Sequence, residues 1–515
     1  MKPLLVVPMS GQGSRFKKAG YLEPKPLIEI NGKSIISRLL DNFPNDWPCC
    51  FVLAENHRQT NLEKTLKKLR PQSEVFYVPA HSEGPGRALL SIKDKLNTDQ
   101  SVIVSYCDFG MKWDANDFLR FVEQTESDCC LVSYSGYHAH YVTETPYAYS
   151  RVENNRVIEI KEKGWFQDRE KEYASNGIYY FKTGKLLLKA LDLQFSEKNF
   201  INGESYTSLT VQSLMKANPE TFVTVYEIPA FYQWGTPEDL SDYCYWEKTF
   251  ENYFKKRPKI QMAHILVPMA GMGKRFRQTT DVPKPFLKID GSPIYQRAVN
   301  CFDGKKLFVA LEEHRKYLGG EESLFIEKTP EGQSLTTLAG ALKLPMDREV
   351  FVTACDHEIV IDENVFEKAK TEADAVIFTV TGYPGSRRNS ESYAYVNAEK
   401  NGQVVSVSCK KTISDSPTAD PLLVGSFWFK SNQILQKGIE LQTAKNLRAN
   451  GELYLDLVFN CLIEAGKTVK ICPLKSYINW GDPQAMSEAL YWYEVFGGRS
   501  LTKRNRFSGV ISDGI

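Results

Sequence analysis

Nowhere does the 515-residue sequence approach the ~18 consecutive apolar residues of a membrane helix, and its opening MKPLLVVPM is shorter than the apolar core of a secretion signal. Neither sign of charge prevails: 64 Lys and Arg face 63 Asp and Glu, a formal net charge of +1. That balance removes the electrostatic case for nucleic acid or a membrane surface as partner and leaves any phosphate binding to local pockets. The eleven cysteines are an odd number, and none stands in C-x-x-C or another zinc-type spacing. Cys49-Cys50 and Cys129-Cys130 lie in apolar runs, where a free thiol packs as a small hydrophobe, so a reducing cytoplasm is the expected setting. Two nucleotide motifs are also missing, the third glycine of the dinucleotide fingerprint and any G-x-x-x-x-G-K-[ST].

What the chain has is an ordinary globular composition, 42% hydrophobic and 25% charged, and a long internal repeat. PMSGQGSRF from Pro8 returns as PMAGMGKRF from Pro268, PKPLIEINGKSI from Pro24 as PKPFLKIDGSPI from Pro283, and SYCDFG as TACDHE. NGESY and QWGTPEDL return as NGELY and NWGDPQAM. The offset falls from 260 at Gly11/Gly271 to 246 at Gly235/Gly481, so the second copy is shorter by about a dozen residues. A period this long is a duplicated domain rather than a solenoid unit. The expected division is residues 1–259, residues 260–500 and a tail over 501–515, with the junction near KKRPKIQMA.

Within each copy, short runs such as LLVVPM, CCFVLA, SVIVSYC and DCCLVSYS alternate with helix-period stretches such as SIISRLLDNF and NLEKTLKKL. Strands apolar on both faces and separated by helices predict an α/β fold, a mixed and mostly parallel sheet flanked by helices, built twice in tandem. AYSRVENNRVIEIKEK, with Asn154-Asn155 at its centre, has the pattern of an antiparallel hairpin, repeated around Asn401-Gly402.

The strongest chemical signal is a strand followed by Gly-x-Gly-x-Arg-Phe and then Pro-Lys-Pro. A glycine turn beyond a strand's carboxyl end lets backbone N–H groups approach a polyphosphate, and an Arg and a Lys add a forked and a point cation. An Asp at a strand end, as in SYCDFG, suits Mg²⁺, which takes one or two carboxylates together with phosphate oxygens and water.

These motifs resemble the nucleotidyltransferases that activate sugar 1-phosphates, the sugar nucleotide pyrophosphorylases, and the resemblance runs through both copies. It implies two tandem Rossmann-like nucleotidyltransferase domains acting on a nucleoside triphosphate and a phosphorylated small-molecule acceptor, with release of pyrophosphate. It places the glycine loop at Gly11 and Gly13 and at Gly271 and Gly273, the reactive cations at Arg15, Lys25, Arg275 and Lys284, and Mg²⁺ on Asp108 and Asp356. The family's second metal carboxylate falls on Gln233, and in the second copy on Asn479, which are amides. The base-and-phosphate loop falls on Gly84 and Gly332. For the acceptor the resemblance implies Glu162, Lys163, Asn176 and Glu204, and in the second copy Lys410 and Glu452. There, Cys409 and Val424 replace the carboxylate and the amide, so the second copy is expected to use a less hydroxylated acceptor or none. The implied pathway is synthesis of a surface polysaccharide.

Two rival readings accompany this one. Asp356-His357-Glu358 looks like the metal motif of a glycosyltransferase, and one copy would serve equally as a nucleotide sensor regulating the other. His57-Arg58 and His314-Arg315 read as solvated helix starts, and His138 and His140 as surface or packing residues rather than metal ligands.

Overall fold

The computed structural model describes residues 2–142, 147–277 and 280–497; the expected tail lies outside them. The chain divides into two compact units, with the break between Cys244 and Tyr245, inside the helix Pro237–Tyr253.

In the first unit nine strands form one sheet: β1 (Leu4–Met9), β2 (Cys49–Ala54), β3 (Glu74–Val78), β4 (Val102–Ser105), β5 (Cys129–Tyr134), β6 (Tyr149–Glu153), β7 (Arg156–Lys161), β8 (Tyr173–Phe181) and β9 (Val223–Glu227). Their order is β3-β2-β1-β4-β8-β5-β9, with β6 also on β8 and β7 on β6. The β3-β2-β1-β4 block is parallel, as is β5 with β9, and β8 runs antiparallel between them. The second unit repeats this order with β10 (Ile260–Pro268), β11 (Phe302–Leu311), β12 (Ser323–Ile326), β13 (Val350–Thr353), β14 (Ala375–Val380), β15 (Ala394–Ala398), β16 (Val404–Cys409), β17 (Leu422–Phe429) and β18 (Val469–Pro473), as β12-β11-β10-β13-β17-β14-β18 with β15 on β17 and β16 on β15.

The sheet is mixed because β8 and β17 return through its middle. Both faces are covered, as the apolar runs require. Leu5, Val7, Met9 and Cys49 enter one core cluster, whereas Leu4, Val6 and Cys50 enter another, the period of two expected of a strand buried on both sides. The adjacent cysteines are thus packing residues, one to each face, and none of the eleven cysteines is in a disulfide. The hairpin β6–β7 forms as its pattern predicts, with Asn154 and Asn155 both at positive φ, and β15–β16 repeats it. Helix starts recur as well. Asp114 caps Ala115–Gln124 and Asp362 caps Glu363–Glu372; Thr183 caps Gly184–Ser196 and Ser431 caps Asn432–Ala444.

Three local features position the site. A bulge in β8 between Ser175 and Ile178 carries Gly177 at φ 96°, and Gly177 C=O accepts the Tyr106 N–H at 3.0 Å. Gly425 does the same for Ala354 in the second unit, again at 3.0 Å. Beyond β4, a two-stranded ribbon pairs Phe109–Lys112 with Ala230–Gln233, setting Gln233 opposite Phe109. Its counterpart pairs His357–Val360 with Ser476–Asn479, setting Asn479 opposite His357.

Candidate active site

At the carboxyl end of β1 the chain turns through Ser10–Gly13. Gly13 is left-handed, at φ 60° and ψ 32°, and a Cβ there would lie 3.8 Å from Lys25 Cβ, so this glycine sets the close pass between loop and lysine. Gly273 repeats it at φ 56°, with 3.3 Å to Lys284 Cβ. Gly11 and Gly271 face open space. The helix behind the first loop is short, Ser14–Lys18, and in the second unit the same stretch is a turn. Phe16 and Phe276 anchor these segments in the core, while Arg15 and Arg275 stay exposed.

Lys25 Nζ forms an ion pair with Asp108 Oδ2 and donates to Gly235 C=O at 3.3 Å. Lys284 Nζ meets Asp356 Oδ2 at 2.5 Å. Burial alone would lower the pKa of Lys284 and raise that of Asp356, but their mutual attraction outweighs it: the lysine is held above its usual value and the carboxyl below. A cavity of about 610 Å³ in the first unit is lined by Gly11, Gly13, Lys25, Gly84, Asp108 and Glu204. The fold therefore gathers residues spread over nearly 200 positions of sequence at the ends of β1 and β4.

Gly84, at φ 84°, is required by a close approach, since a Cβ there would sit 2.7 Å from Ser205 N. Two backbone bonds, Ser205 N–H to Glu83 C=O at 2.8 Å and Gly86 N–H to Ser205 C=O at 2.9 Å, bind the two loops together. Gly332, at φ 120°, is tighter, with Leu453 N and O both 2.5 Å from the added Cβ.

Gln233 is 8% exposed. Its Nε2 donates to Asp239 Oδ2, which also accepts from Thr236 Oγ1 at 2.6 Å, and its Oε1 is buried with no hydrogen-bond partner. A Cβ on Gly235 would touch both Asp108 Oδ2, at 3.3 Å, and Gln233 Cγ, at 3.6 Å, so the two side chains flank one glycine. Together they offer a carboxylate and a spare amide oxygen, hard donors of the kind Mg²⁺ accepts. In the second unit Asn479 Oδ1 is taken by the Gly481 N–H at 2.8 Å, and Nδ2 reaches Tyr383 OH at 3.3 Å. No cluster of three or more His, Cys, Asp or Glu able to hold a metal occurs among the described residues.

On the acceptor side, Ser208 Oγ donates to Glu162 Oε2, Tyr206 OH donates to Glu204 Oε2, and Lys163 Nζ stands 4.6 Å from the centre of the Tyr206 ring. Burial raises the Glu162 carboxyl above its usual pKa against the Ser208 hydrogen bond and the charge of Lys163. Asn176 differs from expectation. It is 2% exposed, its amide donates to Met111 Sδ at 3.2 Å, and its Oδ1 accepts the Ile178 N–H at 2.9 Å, so the side chain supports the β8 bulge instead of opening to a ligand. In the second unit Glu452 is exposed, and Lys410 Nζ donates to Ser392 C=O beside the Tyr454 ring.

The remaining motifs resolve into packing. Arg58 pairs with Glu55 at 2.5 Å and covers the Tyr77 ring at 3.7 Å; Arg315 pairs with Glu312 at 2.6 Å and covers Phe325 at 3.8 Å. His57 lines the cavity, but His314 is buried. His138 and His140 are buried among Tyr134, Tyr141 and Phe231, and burial pushes His140 down to about 3. Glu358, which gave the second copy its glycosyltransferase look, is buried in an ion pair with Arg297 at 2.7 Å and accepts from Trp480 Nε1 at 3.1 Å. It is a structural carboxylate.

Sequence reasoning passed over several residues that the fold brings in. His81 lines the first cavity, with Nε2 3.1 Å from Ser10 Oγ; Asp239 orients Gln233 from behind. His81 belongs to no repeated motif, although Thr329 Oγ1 makes the matching tie to Ala270 C=O at 2.8 Å in the second copy, and Asp239 lies in QWGTPEDL but becomes Ala485 there.

A search of curated proteins gave no significant match. Among solved structures, the chain is similar to a nucleoside-diphosphate-sugar pyrophosphorylase from Vibrio cholerae RC9 (19% identity over 44% of this chain and 99% of that one, TM-score 0.37). It is also similar to an inositol-1-phosphate CTP transferase from T. maritima (15%, 47% and 98%, TM-score 0.35) and a UTP-bound UGPase from Acinetobacter baumannii (14%, 47% and 91%, TM-score 0.36). The family model for nucleotidyl transferases matches residues 6–241, which span the glycine loop, Lys25, Asp108 and Gln233. That match lies wholly within the first unit, Met1–Cys244, whose strand order the second unit repeats.

Proposed function

We propose that the chain joins a nucleoside triphosphate to a phosphorylated acceptor, a sugar phosphate in the first unit, giving a nucleoside-diphosphate-linked product and pyrophosphate for cytoplasmic synthesis of a surface polysaccharide. The observation that carries this reading is the Lys25–Asp108 pair at the mouth of a glycine-loop cavity, repeated as Lys284–Asp356.

In this scheme the backbone at Gly11 and Gly13 lies along the triphosphate, with Arg15 and Lys25 on its charge, and Gly271, Gly273, Arg275 and Lys284 do the same in the second unit. Gly84 and Gly332 hold the loop beside the nucleotide. Glu204 and the Glu162–Lys163 pair receive the acceptor, hydroxyls on the carboxylates and phosphate on the lysine; Lys410 and Glu452 are their counterparts. An acceptor phosphate oxygen attacks the α-phosphorus in line, the bond to the bridging oxygen breaks, and pyrophosphate leaves carrying that electron pair. The nucleophile is already an anion, so no general base is needed. Mg²⁺, held by Asp108 with Gln233 and by Asp356 in the second unit, would neutralise charge on the triphosphate. Lys25 is released from Asp108 as the ligands enter and turns its charge to the phosphates.

The test is pyrophosphate release from the full chain, with each of the four common nucleoside triphosphates, Mg²⁺ and a pool of sugar 1-phosphates. Release that requires both a nucleotide and an acceptor is expected. Transfer of sugar from a nucleotide sugar, without pyrophosphate, would overturn the reading.

A further inference from the structure

The sequence reading leaves the second acceptor pocket short of a carboxylate, because Cys409 stands where Glu162 stands. The folded chain revises this. Cys409 and Glu162 each precede a lysine at positive φ, 59° at Lys410 and 55° at Lys163. Ser208 and Asp456 each follow at the same distance after Asn202 and Asn450, in NGESYTS and NGELYLD. In the first unit Ser208 Oγ donates to the Glu162 carboxylate. In the second, Cys409 Sγ lies 3.7 Å from Asp456 Oδ2. The contact is kept, and its charged member has moved from the hairpin strand to the helical segment facing it.

The surroundings are kept too. Lys410 Nζ stands 5.3 Å from the Tyr454 ring centre, as Lys163 stands over Tyr206. The change from Asn176 to Val424 removes no open polar group, since Asn176 spends its amide inside the unit. Asp456 is half-buried, and its side-chain donor is a thiol, a weak partner for a carboxylate. Burial drives its carboxyl up to about 6, opposed by the nearby charge of Lys410. A carboxylate so placed gains from hydroxyl donors that the protein itself does not supply.

We infer that the second unit has an acceptor site of its own, in which the Asp456 carboxylate receives a hydroxyl of a phosphorylated polyol or sugar and Lys410 receives its phosphate. Cys409 is shorter than Glu162, which leaves room on the strand side, and the carboxylate approaches from the opposite wall. The hydroxyl it reaches is therefore a different one, and the two units select different acceptors. This inference rests on the proposed reading of both units as nucleotidyl-transfer sites.

The experiment uses the full chain carrying Asp108→Asn, which silences the first unit. It is assayed with the four common nucleoside triphosphates, Mg²⁺ and a panel of sugar 1-phosphates and polyol phosphates, alongside binding of a fluorescent magnesium nucleotide. Pyrophosphate release with at least one acceptor is expected. Adding Asp456→Asn should raise the acceptor KM at least tenfold while leaving the nucleotide KM within about twofold. The exchange Cys409→Glu with Asp456→Ser rebuilds the first unit's arrangement and should restore turnover, with preference moved toward the first unit's acceptor. A folded Asp456→Asn protein with unchanged acceptor KM would overturn the assignment. So would a silenced chain that binds the nucleotide yet releases no pyrophosphate with any acceptor. A silenced chain that binds no nucleotide would fail earlier, and would overturn the nucleotidyl-transfer reading of the second unit along with this one.

Discussion

Lys25 with Asp108 and Lys284 with Asp356 are nearly the same object built twice, each beside a left-handed glycine, whereas the surroundings of the two pairs have diverged. Beneath Asp356, His357 replaces Phe109 and bonds Ser426 Oγ at 2.8 Å and Thr353 Oγ1 at 3.2 Å; burial lowers it to about 4, so it is a neutral packing histidine. Glu358 replaces Gly110 and takes Arg297, whose counterpart Arg38 bonds Ile30 C=O and Tyr243 OH. The amide beside the Asp is free at its oxygen in Gln233 and committed in Asn479. Duplication has thus held the lysine–aspartate pair and its glycine while letting the surrounding side chains vary.

The largest effects should come from the shared pair. Asp108→Asn and Asp356→Asn should each reduce pyrophosphate release from its own acceptor by about 10²-fold, the usual scale for one preorganised electrostatic group. Each should leave the other unit's acceptor untouched. Cross-inhibition of both activities by either change, in proteins of native circular dichroism, would mean that the units act as one site.

Next come the loop glycines. Gly84→Ala and Gly332→Ala both force a Cβ onto backbone at positive φ, and each should destabilise its unit by about 1–3 kcal/mol. Gly332→Ala should cost more, because three Leu453 backbone atoms crowd it within 2.9 Å. Thermal denaturation of the two variants gives the order directly.

Smaller still is Gln233→Glu, which sets a second carboxylate against Asp239. Like charges in one buried site share a proton, so the carboxyl pKa of the pair rises in the folded state. Its stability is full at low pH and is lost as pH rises through the raised value, by about 1–2 kcal/mol, and Mg²⁺ should recover part of the loss. Asn479→Asp faces Ala485 in the position of Asp239 and should show much less. Melting temperatures at pH 5 and pH 8, with and without Mg²⁺, separate the two.

Of similar size is the titration of Asp456 itself. Its folded carboxyl is raised to about 6, so the stability it holds when protonated is complete below about pH 4 and lost as pH climbs through 6. Asp456→Asn should therefore gain on the wild type by up to about 2 kcal/mol between pH 4 and pH 7 in urea unfolding. A constant difference across that range would mean that the carboxyl titrates normally.

Strands, hairpins and the glycine–lysine–aspartate series were legible because each is a local pattern, and the repeat supplied it twice. The Asp456 contact was not, because Cys409 and Asp456 lie 47 residues apart and neither belongs to a motif. Read singly, Cys409 looked like a lost carboxylate and Asp456 drew no reading at all; only the pairing of the hairpin with the loop after Asn450 joins them. Glu358 misled in the opposite sense. Its spacing after Asp356 was that of a metal site, and the cation that claims it, Arg297, lies 61 residues earlier. Asn176 likewise sat in the right place on β8, but the bulge it supports uses up both ends of its amide.

On the proposed reading, the ion pair at the heart of each unit would also govern the form in which a triphosphate enters. With Lys25 bonded to Asp108 the empty pocket is electrically neutral at that point, so it exerts little pull on a bare polyanion. A metal-free triphosphate that took Lys25 for itself would strand Asp108 beside its phosphates, an unpaired anion facing more anions. For a triphosphate that arrives with its divalent cation, Asp108 would hold the cation and Lys25 the phosphates, with no charge left over. The pair is in that sense a customs post for the incoming nucleotide, passing the metal complex and turning back the free anion.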